Sequence, residues 1–561
     1  MIQILYKKQD MRYLFFTGAD NELRKIEKEF NKTPSYQFLP SFRGIPRPEV
    51  FFHKFKSKTG QIIYYCHSGL WKTITDWCEK NNIGIEYPED FSYFKYTDFN
   101  TTLEEFKEYV ESWEITLTPY PYQLKAAWLI LKYRQSLSQL ATRAGKTLIC
   151  YLIFRTLIER GAQKCLMIVP SKSLVKQAVN DFDEYGEFFA SETVWANGEL
   201  REGSNVTVGT FQSLVKKADK RSSKYDPHFF DDYDVVLVDE AHTLKCQSID
   251  TILNQTFMKN VKLKFGFTGS LPPEHTIDSF CCHSLMGPTI QDIRPKELMD
   301  GGFITPIDIT QIYINHPETA ELNNTYIKCG EYLNSNTLED HGVKIMLPSE
   351  QREFTIVEKK QLPLVLRQMR ENGASDIEYR EYLIDLCKAK GSNLLMLEQM
   401  LLHRDKKRIG VIFNLLDSFK KNCIVFAHHV EYIRYLYNII RERYPDRHIY
   451  MITGQTADKK REQIKQDLLT DKDAILVASY GCVGTGLTFK NLDYGIFAQG
   501  FKSHIINLQS LGRGLCLAND KDKYRLYDLV DCYPTRRIEL QGKARKKLYQ
   551  EQHFEYHTEI V

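Results

Sequence analysis

The stretch Ala141-Thr142-Arg143-Ala144-Gly145-Lys146-Thr147 limits what this chain can fold into more than any other feature. A loop ending in Gly-Lys-Thr, set between a strand and a helix, is a cradle for a polyphosphate. Its backbone N–H groups and lysine ammonium answer negative charge, and the threonine hydroxyl can hold Mg²⁺. Downstream, the apolar Val235–Val238 runs into Asp239-Glu240-Ala241-His242. There Asp239 can hold a metal shell, and Glu240 can orient and deprotonate an attacking water. Either piece alone is a match short enough to arise by chance. In this order, each taken to follow an apolar run, they imply hydrolysis of a nucleoside triphosphate.

At 561 residues the chain is long enough for two to four domains with their own cores. Its 43% hydrophobic and 26% charged content is that of a soluble globular protein. No apolar stretch reaches membrane-spanning length, and Met1-Ile2-Gln3-Ile4 does not begin a signal sequence. Thirteen cysteines without a Cys-x-x-Cys pair argue against a disulfide framework or a zinc ribbon. Cys281-Cys282-His283 is too crowded for a tetrahedral site. The expectation is a monomer in reducing cytoplasm, with no membrane partner. The net charge of +3 is silent about nucleic acid. Two basic stretches, Lys216 to Lys224 and Arg536 to Lys547 (Arg545 included), fit either a solvated face or phosphate contacts.

Residues 1–112 read as a small α/β accessory domain, with nucleic-acid binding an open role. Leu23, Ile26 and Phe30 fall on one helical stripe, and Leu70, Ile74 and Trp77 on another. Val50-Phe51-Phe52 and Ile62–Tyr65 read as strands. Phe51, Phe52, Tyr64, Tyr65 and Trp71 suit a core, the alternative being a base-stacking surface beside Arg43, Lys54, Lys56 and Lys58. The acidic Thr101–Glu114 reads as a linker. Over 113–304, apolar strands alternate with helical stretches, the rhythm of a doubly wound sheet: Leu166–Pro170, Val206–Thr210, Val235–Asp239 and Phe265–Ser270. The rhythm returns over 305–540 at Ile307–Ile314, Cys423–His428, His448–Thr453, Ala474–Ser479, Tyr494–Ala498 and Arg525–Leu529, with a helical insertion at about 318–420. Residues 541–561 read as a basic tail.

Further motifs recur in register with these strands. Tyr120-Pro121-Tyr122-Gln123 precedes the phosphate loop, where the glutamine amide can read an adenine edge. Val169-Pro170-Ser171, Val208-Gly209-Thr210 and Thr268-Gly269-Ser270 end strands of the first sheet. Ala478-Ser479-Tyr480-Gly481, Gly484-Thr485-Gly486 and Gln509-Ser510-Leu511-Gly512-Arg513 follow in the second. This set, over about residues 115–540, resembles the superfamily-two helicases of the DEAH-box-like kind. The resemblance implies an α/β fold of two RecA-like doubly wound parallel-sheet lobes that clamp ATP. It also implies nucleic-acid-dependent ATPase activity with Mg²⁺ as cofactor. Carried over by residue, it gives Gln123 adenine recognition and Ala144, Gly145, Lys146, Thr147 and Gly486 nucleotide contacts. Thr147 and Asp239 take the metal, Glu240 the water, and Gln509 and Arg513 the γ-phosphate. His242, Thr268 and Ser270 couple the site to movement, and Ser171, Thr210 and Ser479 touch the nucleic-acid backbone without reading sequence.

Three positions depart from the pattern: Leu140 for a glycine, Arg143 for a small residue, and Cys516 for the arginine that ends the last motif. Arg143 points to solvent or reaches the phosphates. At Cys516 a charge that stabilises the transition state is missing, an effect worth roughly 10³–10⁵ in rate where arginine fingers act. The resemblance implies an ATP-dependent helicase or translocase, of 3′→5′ polarity, that remodels branched DNA, forks or R-loops in phage recombination and replication; its partner would be branched or single-stranded DNA, or an RNA–DNA hybrid. The alternatives are a duplex translocase that does not separate strands, and an ATP-gated clamp whose turnover Cys516 has slowed.

Overall fold

The computed structural model spans residues 1–561. It describes all of them except 9, 35–36, 38–46, 187, 190, 195–203, 244–251, 253–260, 338–342, 347–352, 358–361, 390–392, 404, 482–488, 490, 501–502 and 519–520. The described residues form two compact units, 1–298 and 299–561.

The first unit begins with a five-stranded sheet of β1 (Ile2–Lys7), β2 (Asp10–Gly18), β3 (His53–Lys56), β4 (Ile62–His67) and β5 (Ile85–Glu86), ordered β3-β4-β2-β1-β5. Side chains alternate across it. Ile2, Ile4, Leu14, Phe16, Tyr64 and Cys66 face a core shared with Leu23, Ile26 and Phe30 of helix Asp20–Phe30 and with Leu70 and Ile74. Phe51 and Phe52 lie in that core just before β3, not in a strand. Phe280 and Cys281 of helix Ile277–Met286 complete the same core, and the Phe30 and Phe280 rings stack 4.9 Å apart. Gly69 meets that helix so closely that an added Cβ would lie 2.1 Å from the His283 carbonyl oxygen. The N-terminal sheet is thus packed onto the rest of its unit. The acidic stretch expected as a linker is helix Leu103–Glu111, started by a capping box: Glu105 N–H donates to Thr102 Oγ1 (3.2 Å) and Thr102 N–H to the Glu105 carboxylate (2.8 Å).

A seven-stranded, wholly parallel sheet follows: β6 (Gln135–Leu140), β7 (Lys164–Val169), β8 (Ser191–Val194), β9 (Val206–Thr210), β10 (Tyr233–Val238), β11 (Leu263–Thr268) and β12 (Thr289–Ile293), ordered β12-β6-β11-β10-β7-β9-β8. Parallel strands covered on both faces read as continuous apolar runs, as β7 and β10 do. β6 breaks that rule and corrects one expectation. The phosphate loop follows the polar Gln-Ser-Leu-Ser-Gln-Leu, buried throughout, and not an apolar run.

The second unit carries another wholly parallel seven-stranded sheet. Its strands are β13 (Ile307–Asn315), β16 (Cys423–Ala427), β17 (Ile449–Ile452), β18 (Ile475–Ser479), β19 (Tyr494–Phe497), β20 (Tyr524–Cys532) and β21 (Glu555–Ile560), ordered β17-β18-β16-β19-β20-β13-β21. Between β13 and β16 lie helices Ala320–Thr337, Leu362–Glu371, Asp376–Ala389, Asn393–Leu402 and Lys406–Ser418, with a small antiparallel pair, β14 (Val343–Met346) and β15 (Glu353–Val357). The expected C-terminal tail is folded. Helix Arg537–Glu551 leads into β21, which pairs with β13. Arg545 of the basic stretch is buried against Asp528 at 2.7 Å and faces no phosphate. Among the described residues no helix is long and apolar enough to cross a membrane. Ten described cysteines are free.

Candidate nucleotide site

The C-terminal ends of β6, β10 and β11 converge. β6 delivers the phosphate loop, in which Arg143 (φ 77°) and Gly145 (φ 70°) are both left-handed. A non-glycine residue there costs about 1–2 kcal/mol, so Arg143, half-buried, holds a strained backbone. Gly145 caps helix Lys146–Glu159. Only glycine fits, since a Cβ would lie 2.2 Å from Gln123 Nε2. Gln123 is buried and already bonded at both ends, Nε2 donating to the Ala144 carbonyl (3.1 Å) and Oε1 accepting from Tyr120 N–H (2.9 Å). Tyr122 also donates to Ala144 O (3.1 Å), and its ring stacks 5.9 Å from that of the exposed Tyr120. The wedge therefore fixes the loop's shape.

Lys146 Nζ donates to the Leu140 carbonyl (3.2 Å) and lies 3.6 Å from Glu240 Oε1. Asp239 and Glu240 follow β10 at a turn where Glu240 itself is left-handed (φ 52°), and Glu240 N–H donates to Asp239 Oδ1 (2.9 Å). Burial raises the Asp239 carboxyl above its ordinary range, reinforced by the neighbouring Glu240 charge and moderated by Lys146. Burial also pushes Glu240 up, but Lys146 and His242 outweigh it and hold this carboxyl below its ordinary range. One carboxylate is thus kept ionised beside the ammonium while its neighbour is crowded, an arrangement that favours a cation. His242 Nδ1 lies 2.7 Å from Thr268 Oγ1 and 3.4 Å from Glu240 Oε2. Thr268 Oγ1 donates to Ser270 O (2.8 Å) and accepts from Ser270 N–H (3.2 Å). Gly269, whose part the residue reading missed, passes within 3.6 Å of Lys146 Nζ at its Cβ position, and its backbone N–H also steadies Glu240. No periodicity marks such a backbone contact.

Ser171 caps helix Lys172–Tyr185, its Oγ accepting from Leu174 N–H (3.4 Å), and the buried Thr210 hydroxyl donates to Ser213 Oγ (3.0 Å). Both stand at strand ends of the first unit. In the second unit Ser479 ends β18, Gln509 sits in helix His504–Leu511, and Arg513 in the tight turn Gly512–Gly514. Tyr480 is buried with its ring stacked 5.2 Å from Phe426. Cys516 is half-buried, its carbonyl accepting from Thr305 Oγ1 (2.7 Å). Gly486 lies outside the described residues.

Residues 114–272 match the family described as type III restriction enzyme, res subunit, and residues 407–516 match the helicase conserved C-terminal domain. The ATP-dependent DNA helicase uvsW of Enterobacteria phage T4 is 24% identical over 478 residues, covering 84% of this chain and 78% of that protein. This chain is a superfamily-two helicase. As such it is an enzyme, a nucleic-acid-dependent ATPase. The crystal structure of T4 UvsW aligns over 100% of this chain and 99% of its own at 19% identity, with a TM-score of 0.44. The DNA-bound type ISP restriction-modification enzyme LlaBIII shares the fold over 86% of this chain and 34% of its own (13% identity, TM-score 0.51).

The residues present fit the nucleotide and metal that this family implies. The left-handed loop, the Lys146 ammonium and the crowded Asp239–Glu240 pair form a cradle for anionic phosphates with a divalent cation. Thr147 and Asp239 would hold Mg²⁺, which when bound neutralises charge on the phosphates.

Proposed function

We propose that this helicase uses ATP to move on DNA, with 3′→5′ polarity, and remodels branched substrates, forks or R-loops in phage recombination and replication. The approach of Lys146 Nζ to Glu240 Oε1 at 3.6 Å carries the ATPase part, because it keeps Glu240 ionised where a water must be activated. In this reading Lys146 binds the triphosphate, Glu240 takes the proton from water, and Gln509 and Arg513 supply the remaining γ-phosphate contacts. Gln123, which also shapes the phosphate loop through Ala144, is assigned to the adenine end. His242, Thr268 and Ser270 relay the nucleotide state, and Ser171, Thr210 and Ser479 contact the nucleic-acid backbone. The substrate class is supported by similarity to a phage DNA helicase over most of both chains. Residues 1–112 act as a nucleic-acid-binding accessory domain, 113–304 and 305–540 as the two lobes.

Two other readings remain in play. Similarity of 114–272 to restriction-enzyme motor subunits favours a duplex translocase that leaves strands paired. Cys516, in place of an arginine, favours a slow ATP-gated clamp. ATPase rates with single-stranded, duplex and forked DNA, beside Lys146→Ala, separate the three. Displacement of a labelled strand from forks and R-loops supports the first reading; stimulation by duplex without displacement overturns it.

A further inference from the structure

The open face of the N-terminal sheet is aromatic. Opposite the helices, strand alternation places Phe15 and Tyr13 of β2, Tyr65 of β4, and His53 and Phe55 of β3 side by side. Tyr65 is the hub, its ring 4.9 Å from His53, 5.8 Å from Phe55 and Tyr13, and 6.3 Å from Phe15. Tyr13, Phe15, Tyr65 and His53 are half-buried, Tyr13 also against His67 at 5.1 Å and under Arg12, and Phe55 is 43% exposed. A core reading of the aromatics therefore holds for Phe51, Phe52 and Tyr64 and fails for Tyr65, which points the other way.

Cations border this face. Lys7 Nζ sits 5.5 Å over the Phe15 ring. Lys56 and Lys58 flank the β3–β4 turn, exposed and without an ion pair among the described residues. Neighbouring Lys8 and Lys54 are by contrast neutralised by Asp90 and Glu27. Of the carboxylates on this side, Asp10 is held by Arg12 and Glu86 sits on the edge strand β5. Rings clustered about Tyr65, two of them edge-on, with ammonium groups at the rim, match bases joined by phosphates. Each base offers a π-face and each linkage a negative charge. An antiparallel sheet with helices on one face and aromatics on the other is also a known way to stack two or three bases.

We propose that this face binds single-stranded nucleic acid by stacking bases on Tyr65, Phe55 and Phe15, with Lys7, Lys56 and Lys58 on the phosphates. The inference deepens the accessory-domain reading above, on which it rests, and is independent of the ATP chemistry. Packing through Phe280 and Gly69 keeps the face fixed to the sheet that carries the phosphate loop, so a strand held here is held by the motor itself.

The test uses the full chain without nucleotide and fluorescein-labelled oligo-dT and oligo-rU, in parallel with oligonucleotides carrying 5-iodouracil for photocrosslinking. Adducts are expected on peptides containing β2 or β4. Affinity should fall about tenfold when Phe55→Ala and Tyr65→Leu are combined, in the range of losing one or two stacked bases. The fall should be the same in a Lys146→Ala background, which separates failure of this surface from failure of the ATPase reading. An unchanged thermal midpoint shows the double variant folded; if it drops, Phe55→Ala with Lys7→Glu takes its place. The proposal is overturned by adducts lying wholly outside residues 1–95, by unchanged affinity, or by a dimer in solution that these substitutions dissociate.

Discussion

The Nδ1 atom of His242 stands 2.7 Å from the Oγ1 atom of Thr268. Because Thr268 already donates its single proton to Ser270 O, the imidazole must be the donor, which fixes the proton on Nδ1. Burial lowers the ring's pKa, with the Glu240 charge opposing. The hydrogen bond ties the carboxylate turn after β10 to the end of β11. Thr268→Val keeps the shape and removes the acceptor. A bond of this kind is worth about 0.5–1.5 kcal/mol, or roughly two- to tenfold. The expected result is a fall of that size in strand displacement per ATP hydrolysed, with ATP binding retained. Equal losses in hydrolysis and displacement would place the link in catalysis and not in coupling.

Glu240→Gln should bind ATP and fail to turn it over. General-base removal costs about 10²–10⁴ in rate, while glutamine keeps the size and shape of the side chain beside Lys146. Single-turnover hydrolysis alongside nucleotide-binding titration measures both halves of this expectation.

Arg545 and Lys546 are adjacent in a basic stretch and have opposite fates. Arg545 is 1% exposed and bonded through Nε and Nη2 to Asp528, which also accepts from Gln311 and Tyr549. Removing one partner strands a buried charge at a cost of about 3–5 kcal/mol. Arg545→Gln should therefore lower the denaturation midpoint sharply, whereas Lys546→Gln should stay within about 0.5 kcal/mol of the parent. Equal effects would mean the ion pair is immaterial to stability.

That contrast shows where residue-level reading works and where it stops. Val235–Val238, Cys423–Ala427 and Ile475–Ser479 announce buried parallel strands because both their faces are covered, so apolar runs and motif order suffice. Gln135–Leu140 does not, because its two glutamines are accommodated by specific partners, Ser68 at 3.1 Å from Gln135 and Leu271 N–H at 3.3 Å from Gln139. Such compensation is three-dimensional. The capping box at Thr102 and Glu105 was legible, but an acidic composition masked it. At the site, side-chain chemistry was visible in Lys146, Asp239, Glu240 and His242. The contributions of Gly269 and the Leu140 carbonyl come from backbone, which residue identity does not advertise. Likewise nothing in the letters separates Tyr64, in the core, from Tyr65 on the open face until strand register assigns the alternation.

Cys516→Arg restores the charge that the family places at the end of its last motif. The position is half-buried and its backbone is pinned, Thr305 bonding to Cys516 O and to Leu515 O at 2.7 and 3.1 Å. The side chain is thus launched from a fixed point. If the missing guanidinium limits turnover, steady-state ATPase should rise by at least tenfold, a fraction of the 10³–10⁵ that arginine fingers supply. No rise would show that Arg513 suffices alone.

His316 makes the fold itself sensitive to alkali. Its ring is 4% exposed, stacks 4.2 Å from Tyr533, and sits between Asp405 (3.1 Å from Nδ1) and Asp531 (3.0 Å from Nε2), with Arg408 on the far side of Asp531. Burial disfavours the imidazolium, but hydrogen bonds and charge from the two carboxylates prevail and raise its pKa to about 9. In the unfolded chain a histidine titrates near 6.5. The folded state therefore holds an extra proton between these values, so the stabilisation is full below pH ~6.5 and is lost as pH climbs through about 9. With 1.36 kcal/mol per unit, the loss comes to about 3 kcal/mol. Denaturant melts at pH 6.5, 8 and 9.5 should show that decline in the parent. His316→Gln, with no proton to lose, should be less stable at pH 6.5 and nearly flat over the same interval. A parent curve as flat as the variant's would mean that the imidazole is not charged in the fold.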